Sequence, residues 1–246
     1  MPHTLTGDIR VLPAVHSPQL NNERDLLVYL PPGHDTAAVR YPVLYMQDGQ
    51  NLFDRDTAFG GNEWQVDETM EALSAEGLPA IVVGLPHVGP ARIAEYNPFP
   101  RHGGRGEAYL RFIVETVKPL IDSTFRTRPE RAATGLLGSS MGGLISLYGY
   151  FCHPAVFGMV GALSPAFWYG GLALYTFVTS APHLRGRLYL DRGSAERGGA
   201  KRMYDLLVQN GYRPERDIRY VEEPGGEHTE TAWARRLPDA LRFLLT

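Results

Sequence analysis

The sequence predicts an α/β protein whose mostly parallel, eight-stranded sheet carries helices on both faces. Three observations lead there. Short, continuously apolar runs alternate with segments of helical spacing, the pattern of a sheet covered on both sides. The glycine-rich stretch TGLLGSSMGG (134–143) joins one such run to one such helix. The 246 residues are 43% hydrophobic, enough for one sizeable core, and no repeat, low-complexity tract or linker divides 1–246 into more than one domain.

The elements follow in chain order. Strands about 6–16 and 24–30 have no helix between them and predict an antiparallel start to the sheet; DLLVYL (25–30) ends at Pro31-Pro32-Gly33, a turn. YPVLYM (41–46) is apolar throughout, as a strand buried on both faces should be. A helix is expected over 64–75 and a strand over PAIVVGL (79–85). Residues 86–106, rich in Gly, Pro and Arg, read as a surface loop, and EAYLRFIVETVKPLIDSTF (107–125) has helical spacing. RAATGLLG (131–138) reads as a strand and SLYGYF as part of the helix after it. VFGMVGAL (156–163), GRLYLD (186–191) and DIRYVEE (217–223) complete the strands, with helices near 198–210 and 231–244. Strand–helix alternation of this kind implies right-handed crossovers.

Charge and composition exclude several functions. The formal net charge is −3 and no basic block appears, which argues against a nucleic-acid partner. No apolar run approaches the roughly 20 residues of a membrane helix. The start MPHTLTGDIR lacks a charged-then-apolar signal pattern, so a cytoplasmic protein is expected. Cys152 is the sole cysteine, which leaves no internal disulfide and no thiolate metal cluster.

Gly138-Ser139-Ser140-Met141-Gly142 fits G-x-S-x-G with Ser140 at its centre; Ser139 does not, because Leu137 stands where glycine is required. The chemistry explains the spacing. A serine on a sharp strand-to-helix turn exposes its hydroxyl, small neighbours let strand and helix close around it, and the next amide faces the same point. The plain alternative is a glycine-rich turn capped by Ser139; the apolar strand before and the helix after favour a nucleophile. Such a serine needs a base, and the base an orienting acid. Of the histidines that follow, His153 ends the helix after the turn and His183 precedes its strand. His228, in PGGEH after the last strand, can swing back to Ser140. Two acids follow the strand GRLYLD: Asp191 at its end and Glu196 in the loop beyond Gly193. Position alone leaves both open.

VYLPPGHD (28–35), YPVLYMQDGQNLFD (41–54), RIAEYNP (92–98), LLGSSMGGLISLYGYFCHPAVFG (136–158), LSPAFW (163–168) and GGEHTETAW (225–233) together resemble the putative-esterase family of α/β-hydrolases. That family includes enterochelin esterases, feruloyl esterase domains, esterase D and mycolyltransferases, and the resemblance spans nearly the whole chain. It implies an α/β-hydrolase fold and a serine carboxylesterase acting through Ser140, Glu196 and His228. Glu196 is favoured over Asp191 because Gly193-Ser194-Ala195-Glu196 matches the family's G-[ST]-x-[DE] pattern. The resemblance also assigns the backbone N–H groups of Gln50 and Met141 as oxyanion donors. No cofactor and no metal are implied.

Trp64 and Trp168 lie in segments matching family positions beside the nucleophile and are candidate substrate-binding residues for an aryl or ring-bearing group. Phe167, Tyr169, Tyr96 and Phe99 are further aromatic residues near the same edge. Arg92 and Glu95 in RIAEYNP are expected to pair and brace their loop. No insertion is long enough for a separate lid domain. A histidine base works only when neutral, so activity should fall below about pH 6–7. The partner expected is a small-molecule ester. An acyltransferase, a thioesterase and a catalytically silent binding protein are the alternatives; the substrate and the oligomeric state are not written in the sequence.

Overall fold

The computed structural model describes residues 3–246. Its eight strands are β1 (Asp8–Ser17), β2 (Asn22–Leu30), β3 (Val43–Gln47), β4 (Ile81–Leu85), β5 (Thr134–Ser139), β6 (Met159–Leu163), β7 (Arg187–Gly193) and β8 (Ile218–Glu223), in the spatial order β1-β2-β4-β3-β5-β6-β7-β8. β2 pairs antiparallel with both β1 and β4, and every other pairing is parallel. β1 and β2 form the expected hairpin, with a register shift between Leu12 and Val15.

Among the described residues the α-helices are α1 (Val66–Ala75), α2 (Arg92–Tyr96), α3 (Gly106–Phe112), α4 (Lys118–Thr124), α5 (Met141–Cys152), α6 (Ala173–Ser180), α7 (Ala200–Gln209) and α8 (Glu230–Leu245). Residues of α1 and α8 share one core with Leu44 and Met46, whereas α3, α5, α6 and α7 share the other with Val43 and Tyr45. This is the two-residue period of a strand at work: neighbours along β3 feed opposite faces, so every position on it is apolar and buried until Gln47.

Three segments differ from the sequence reading. The helix expected over 107–125 is α3 and α4 joined by a wide π-type stretch, Ile113–Val117. Pro119 cannot donate to the carbonyl of Glu115 and its ring would crowd that carbonyl, so the preceding turn widens. Residues 86–106 are no surface loop throughout: Glu95, Tyr96 and Asn97 are fully buried. Their polar groups find internal partners that composition cannot reveal. Glu95 ion-pairs at 2.9 Å with Arg24 from β2, and both side chains are out of solvent. α6 forms where no element was expected, because its apolar residues lack a clear periodic signature. Among the described residues no helix is long and apolar enough to cross a membrane.

Candidate active site

β5 runs into α5 with Ser140 as the single residue between them, at φ 52°, ψ −119°. A side-chain-bearing residue at positive φ is strained and persists only where its surroundings hold it. Here the Ser140 N–H donates to the Leu163 carbonyl at 2.9 Å, and its carbonyl accepts from Ala166 N at 2.9 Å and Leu144 N at 3.1 Å. The flanking glycines are a matter of space. A Cβ on Gly138 would come 2.5 Å from Gln47 Oε1 and 2.8 Å from the Gly142 carbonyl carbon; one on Gly142 would lie 3.2 Å from Gln47 Cβ. β3, β5 and α5 therefore close around the serine only because these positions carry no side chain.

The loop after β3 is held as firmly. Asp48 takes a left-handed conformation (φ 56°), and Arg92 grips its carboxylate with two hydrogen bonds of 2.7 Å. The Asp48 N–H donates to the Tyr96 hydroxyl at 3.1 Å. So Arg92 does brace this region, but through Asp48 and not through Glu95, which belongs to Arg24. Gln50 is anchored at its side chain, where Oε1 accepts from His87 N at 3.3 Å, and at its carbonyl, which accepts from Thr57 Oγ1 at 2.7 Å. Among the described residues, neither the Gln50 N–H nor the Met141 N–H has a hydrogen-bond partner. The latter is the first amide of a twelve-residue helix, where the helix dipole is positive.

The loops after β7 and β8 are fastened together. Ser194 N donates to Glu223 O at 2.9 Å, Ala195 N to Gly226 O at 3.2 Å, and Gly225 N to Ser194 Oγ at 2.8 Å. This lattice sets Glu196 against His228, with Oε2 2.9 Å from Nδ1. Thr229 then caps α8 through Ala232 N, which fixes where the histidine loop ends. Glu196 Oε1 accepts from Ser164 Oγ at 2.7 Å and from Gly193 N at 2.9 Å. Burial alone would raise the Glu196 carboxyl, but the hydrogen bonds from His228, Ser164 and Gly193 outweigh it and hold the group below the usual carboxylate range. The His228 ring meets the Trp233 ring edge-on at 5.0 Å. No hydrogen bond joins Ser140 Oγ to His228 among the described residues.

Asp191 is fully out of solvent and, among the described residues, makes no hydrogen bond or ion pair with His228. Its Oδ1 accepts from Ser164 N at 2.9 Å and its Oδ2 from Arg236 Nε at 3.0 Å. Burial pushes its carboxyl up to about 7 against the pull of Arg236. Arg236 also donates to Ser164 Oγ and to Glu223 Oε2, each at 2.6 Å, and Trp233 Nε1 donates to Ser164 Oγ at 2.9 Å. Ser164 Oγ thus accepts twice and donates its own O–H to Glu196. Sequence reasoning missed this tier. Its signal lay in α8: Arg236 interrupts the buried stripe Ala232, Trp233, Leu237, Ala240 and Leu241, and a buried guanidinium requires an acid.

Beside His228 opens a cleft of about 1140 Å³ lined by Trp168, Leu172, Tyr175, Arg197 and Arg202. Trp168 is 64% exposed there. Trp64 is not in the cleft: at 1% exposure it packs behind the site with its ring 5.6 Å from that of Trp233. Its backbone N–H donates to the Asn51 carbonyl at 2.8 Å, and its ring packs against Trp233 of α8, the histidine's neighbour. Phe167 and Tyr96 are buried as well.

A family model described as Putative esterase matches residues 17–244. The uncharacterized protein YbbA of Bacillus subtilis is 26% identical over 242 residues, covering 90% of this chain and 92% of that protein. Among solved structures, the BES protein from Bacillus cereus superposes with a TM-score of 0.78 at 22% identity, covering 98% of this chain and 96% of its own. The enterobactin esterase FES from Shigella flexneri, solved in the presence of 2,3-di-hydroxy-N-benzoyl-serine, gives 0.77 at 18% identity, covering 98% of this chain and 61% of its own. At these scores the chain shares their fold, that of the α/β-hydrolases.

Proposed function

Since the chain belongs to the Putative esterase family and is a carboxylic ester hydrolase, we propose that it is a serine carboxylesterase that works through Ser140, His228 and Glu196. The observation that carries this reading is the 2.9 Å contact of His228 with Glu196, at the same edge of the parallel strands as the strained serine and the two amides without partners among the described residues. Ser140 Oγ attacks the ester carbonyl as His228 Nε2 takes its proton. The amides of Gln50 and Met141 receive the oxyanion, each worth about 3–4 kcal/mol in the transition state. His228 then gives the proton to the departing alcohol, leaving an acyl-Ser140. Water, deprotonated by the same nitrogen, releases the acid. Glu196 fixes the Nδ1–H tautomer and stabilises the imidazolium. The Ser140–His228 hydrogen bond forms as substrate fills the cleft, since catalytic contacts tighten in the reactive complex.

Substrates are small or ring-bearing esters. Trp168, Leu172 and Tyr175 support this preference, because they offer an apolar, partly aromatic wall next to His228. The test is hydrolysis of p-nitrophenyl acetate through octanoate and of phenyl-bearing esters by the intact enzyme, Ser140→Ala and Trp168→Ala. Loss of turnover in Ser140→Ala, with a raised KM for phenyl-bearing esters in Trp168→Ala, is expected. Equal turnover by wild type and folded Ser140→Ala, with no serine-directed phosphonate labelling, would refute it.

A further inference from the structure

At the opposite end of the sheet from Ser140, where β5 through β8 begin, lies a second cavity of about 460 Å³. Five arginines line it: Arg128, Arg131, Arg185, Arg187 and Arg216. Arg128 pairs with Glu130 at 2.9 Å, both half exposed. Among the described residues, the other four have no carboxylate within ion-pair distance. Asp217 also lines the cavity, but Arg213 holds both of its oxygens, at 2.5 and 2.7 Å, and keeps its carboxyl down at about 2.

A cluster of exposed cations is ordinarily a solvated face. Two features set this one apart. Two of the arginines are locked by the backbone: Arg131 Nε donates to Pro154 O at 2.6 Å and another of its nitrogens to Arg185 O, while Arg187 Nη1 donates to Phe243 O at 3.0 Å. Fixed guanidinium groups have already lost the freedom that binding would remove. And, among the described residues, the buried Arg131 Nη2 has no hydrogen-bond acceptor, although its guanidinium lies 5.5 Å over the Tyr150 ring; an unsatisfied buried donor costs free energy until an acceptor reaches it. In a chain of net charge −3, four unneutralised arginines around one concavity repel one another, and an anion there would relieve that repulsion.

We propose that this cavity binds a small, multiply charged phosphate anion of the pyrophosphate class. Planar guanidinium forks fit phosphate oxygens two at a time. Several unpaired cations favour more charge than one phosphate carries. Among the described residues no aromatic side chain lines the cavity, so they offer no platform for a nucleobase.

The test is calorimetric titration of the intact protein at about 150 mM salt with sodium pyrophosphate, inorganic phosphate and a short single-stranded oligonucleotide, alongside Arg185→Gln/Arg216→Gln. Among the described residues neither side chain makes a hydrogen bond or ion pair, so the double variant should keep its ester hydrolysis and its melting temperature without ligand. Expected are saturable pyrophosphate binding, weaker phosphate binding, and at least tenfold weaker pyrophosphate affinity in the variant. Failure of pyrophosphate to saturate, equal affinity in the variant, or tighter binding of the oligonucleotide would each overturn the proposal.

Discussion

Replacing Arg236 with methionine tests the tier beneath the candidate triad. The arginine side chain is 4% exposed and bridges Asp191, Glu223 and Ser164. Methionine fills much the same volume but supplies no donor. Glu223 keeps Arg235, at 2.9 Å, and Glu196 keeps His228. Asp191 keeps only the Ser164 amide, with 0% of its side chain in solvent. Removing one partner of a buried pair costs about 3–5 kcal/mol. For a domain of this size each kcal/mol moves the melting temperature by about 2–4 °C, so a fall of about 6–20 °C is expected by calorimetry. If the orphaned Asp191 is the reason, Asp191→Asn in the same chain must restore a good part of the loss, because asparagine still accepts from Ser164 N and carries no charge. Turnover tells a separate story. Without Arg236, Ser164 and Glu196 lose an anchor, and a misplacement of about 1 Å can cost about a hundredfold in rate. kcat should therefore stay low in the double variant with KM little changed. A melting temperature within about 3 °C of wild type, or further destabilisation on adding Asp191→Asn, would refute the reasoning.

Three further outcomes follow from the same geometry. Glu196→Gln should lower kcat by about 10³–10⁴, as loss of the orienting acid does elsewhere, whereas Asp191→Asn should cost less than about tenfold in rate while lowering the melting temperature; the reverse ranking in steady-state kinetics would make Asp191 the acid. Gly49→Ala places a Cβ 2.6–2.7 Å from backbone atoms of Gly84, Leu85 and Pro86. The loop must move and carry the Gln50 amide with it, so kcat should fall by about 10²–10³, and a rate within about threefold of wild type in a folded variant would remove Gln50 from its role. Glu196 and Glu223 both sit below their ordinary value of 4.5 in the folded protein. The folded state binds fewer protons at these groups, so their stabilisation is present above about pH 4.5 and is lost as pH falls through the folded values. Melting temperature should drop across that acid window, less steeply in Glu196→Gln, and identical profiles would contradict the assignment.

The residues the sequence could single out are those whose neighbours in the chain are constrained with them. Ser140 announces itself because Gly138 and Gly142 must be small to let β3, β5 and α5 meet. The sheet was legible because β3 through β6 are buried on both faces and are apolar except at strand ends, where Gln47, Thr134 and Ser139 sit. Burial of one aromatic leaves no such local mark: nothing around Trp64 distinguishes a ring beneath α8 from a ring in a cleft. The same holds for 86–106, whose Glu95 looks like a surface acid until Arg24, far back in the chain, is placed on it.

The two acids after GRLYLD show how far this goes. Local reading left Asp191 and Glu196 level because both follow the same strand. Their difference arises from partners on other elements. Asp191, between Leu190 and Arg192 on β7, meets Ser164 just after β6 and Arg236 on α8. Glu196 is turned back by Gly193 and by a loop fastened to the one that carries His228. One acid is spent on the scaffold and the other reaches the histidine. Ser164 Oγ couples them, with Arg236 and Trp233 donating to it and its own proton committed to Glu196. A hydroxyl with both roles filled cannot rotate freely. The orientation of Glu196, and through it that of the His228 ring, is therefore set by a chain of contacts spanning β6, β7 and α8, none of whose links has a sequence neighbour to betray it.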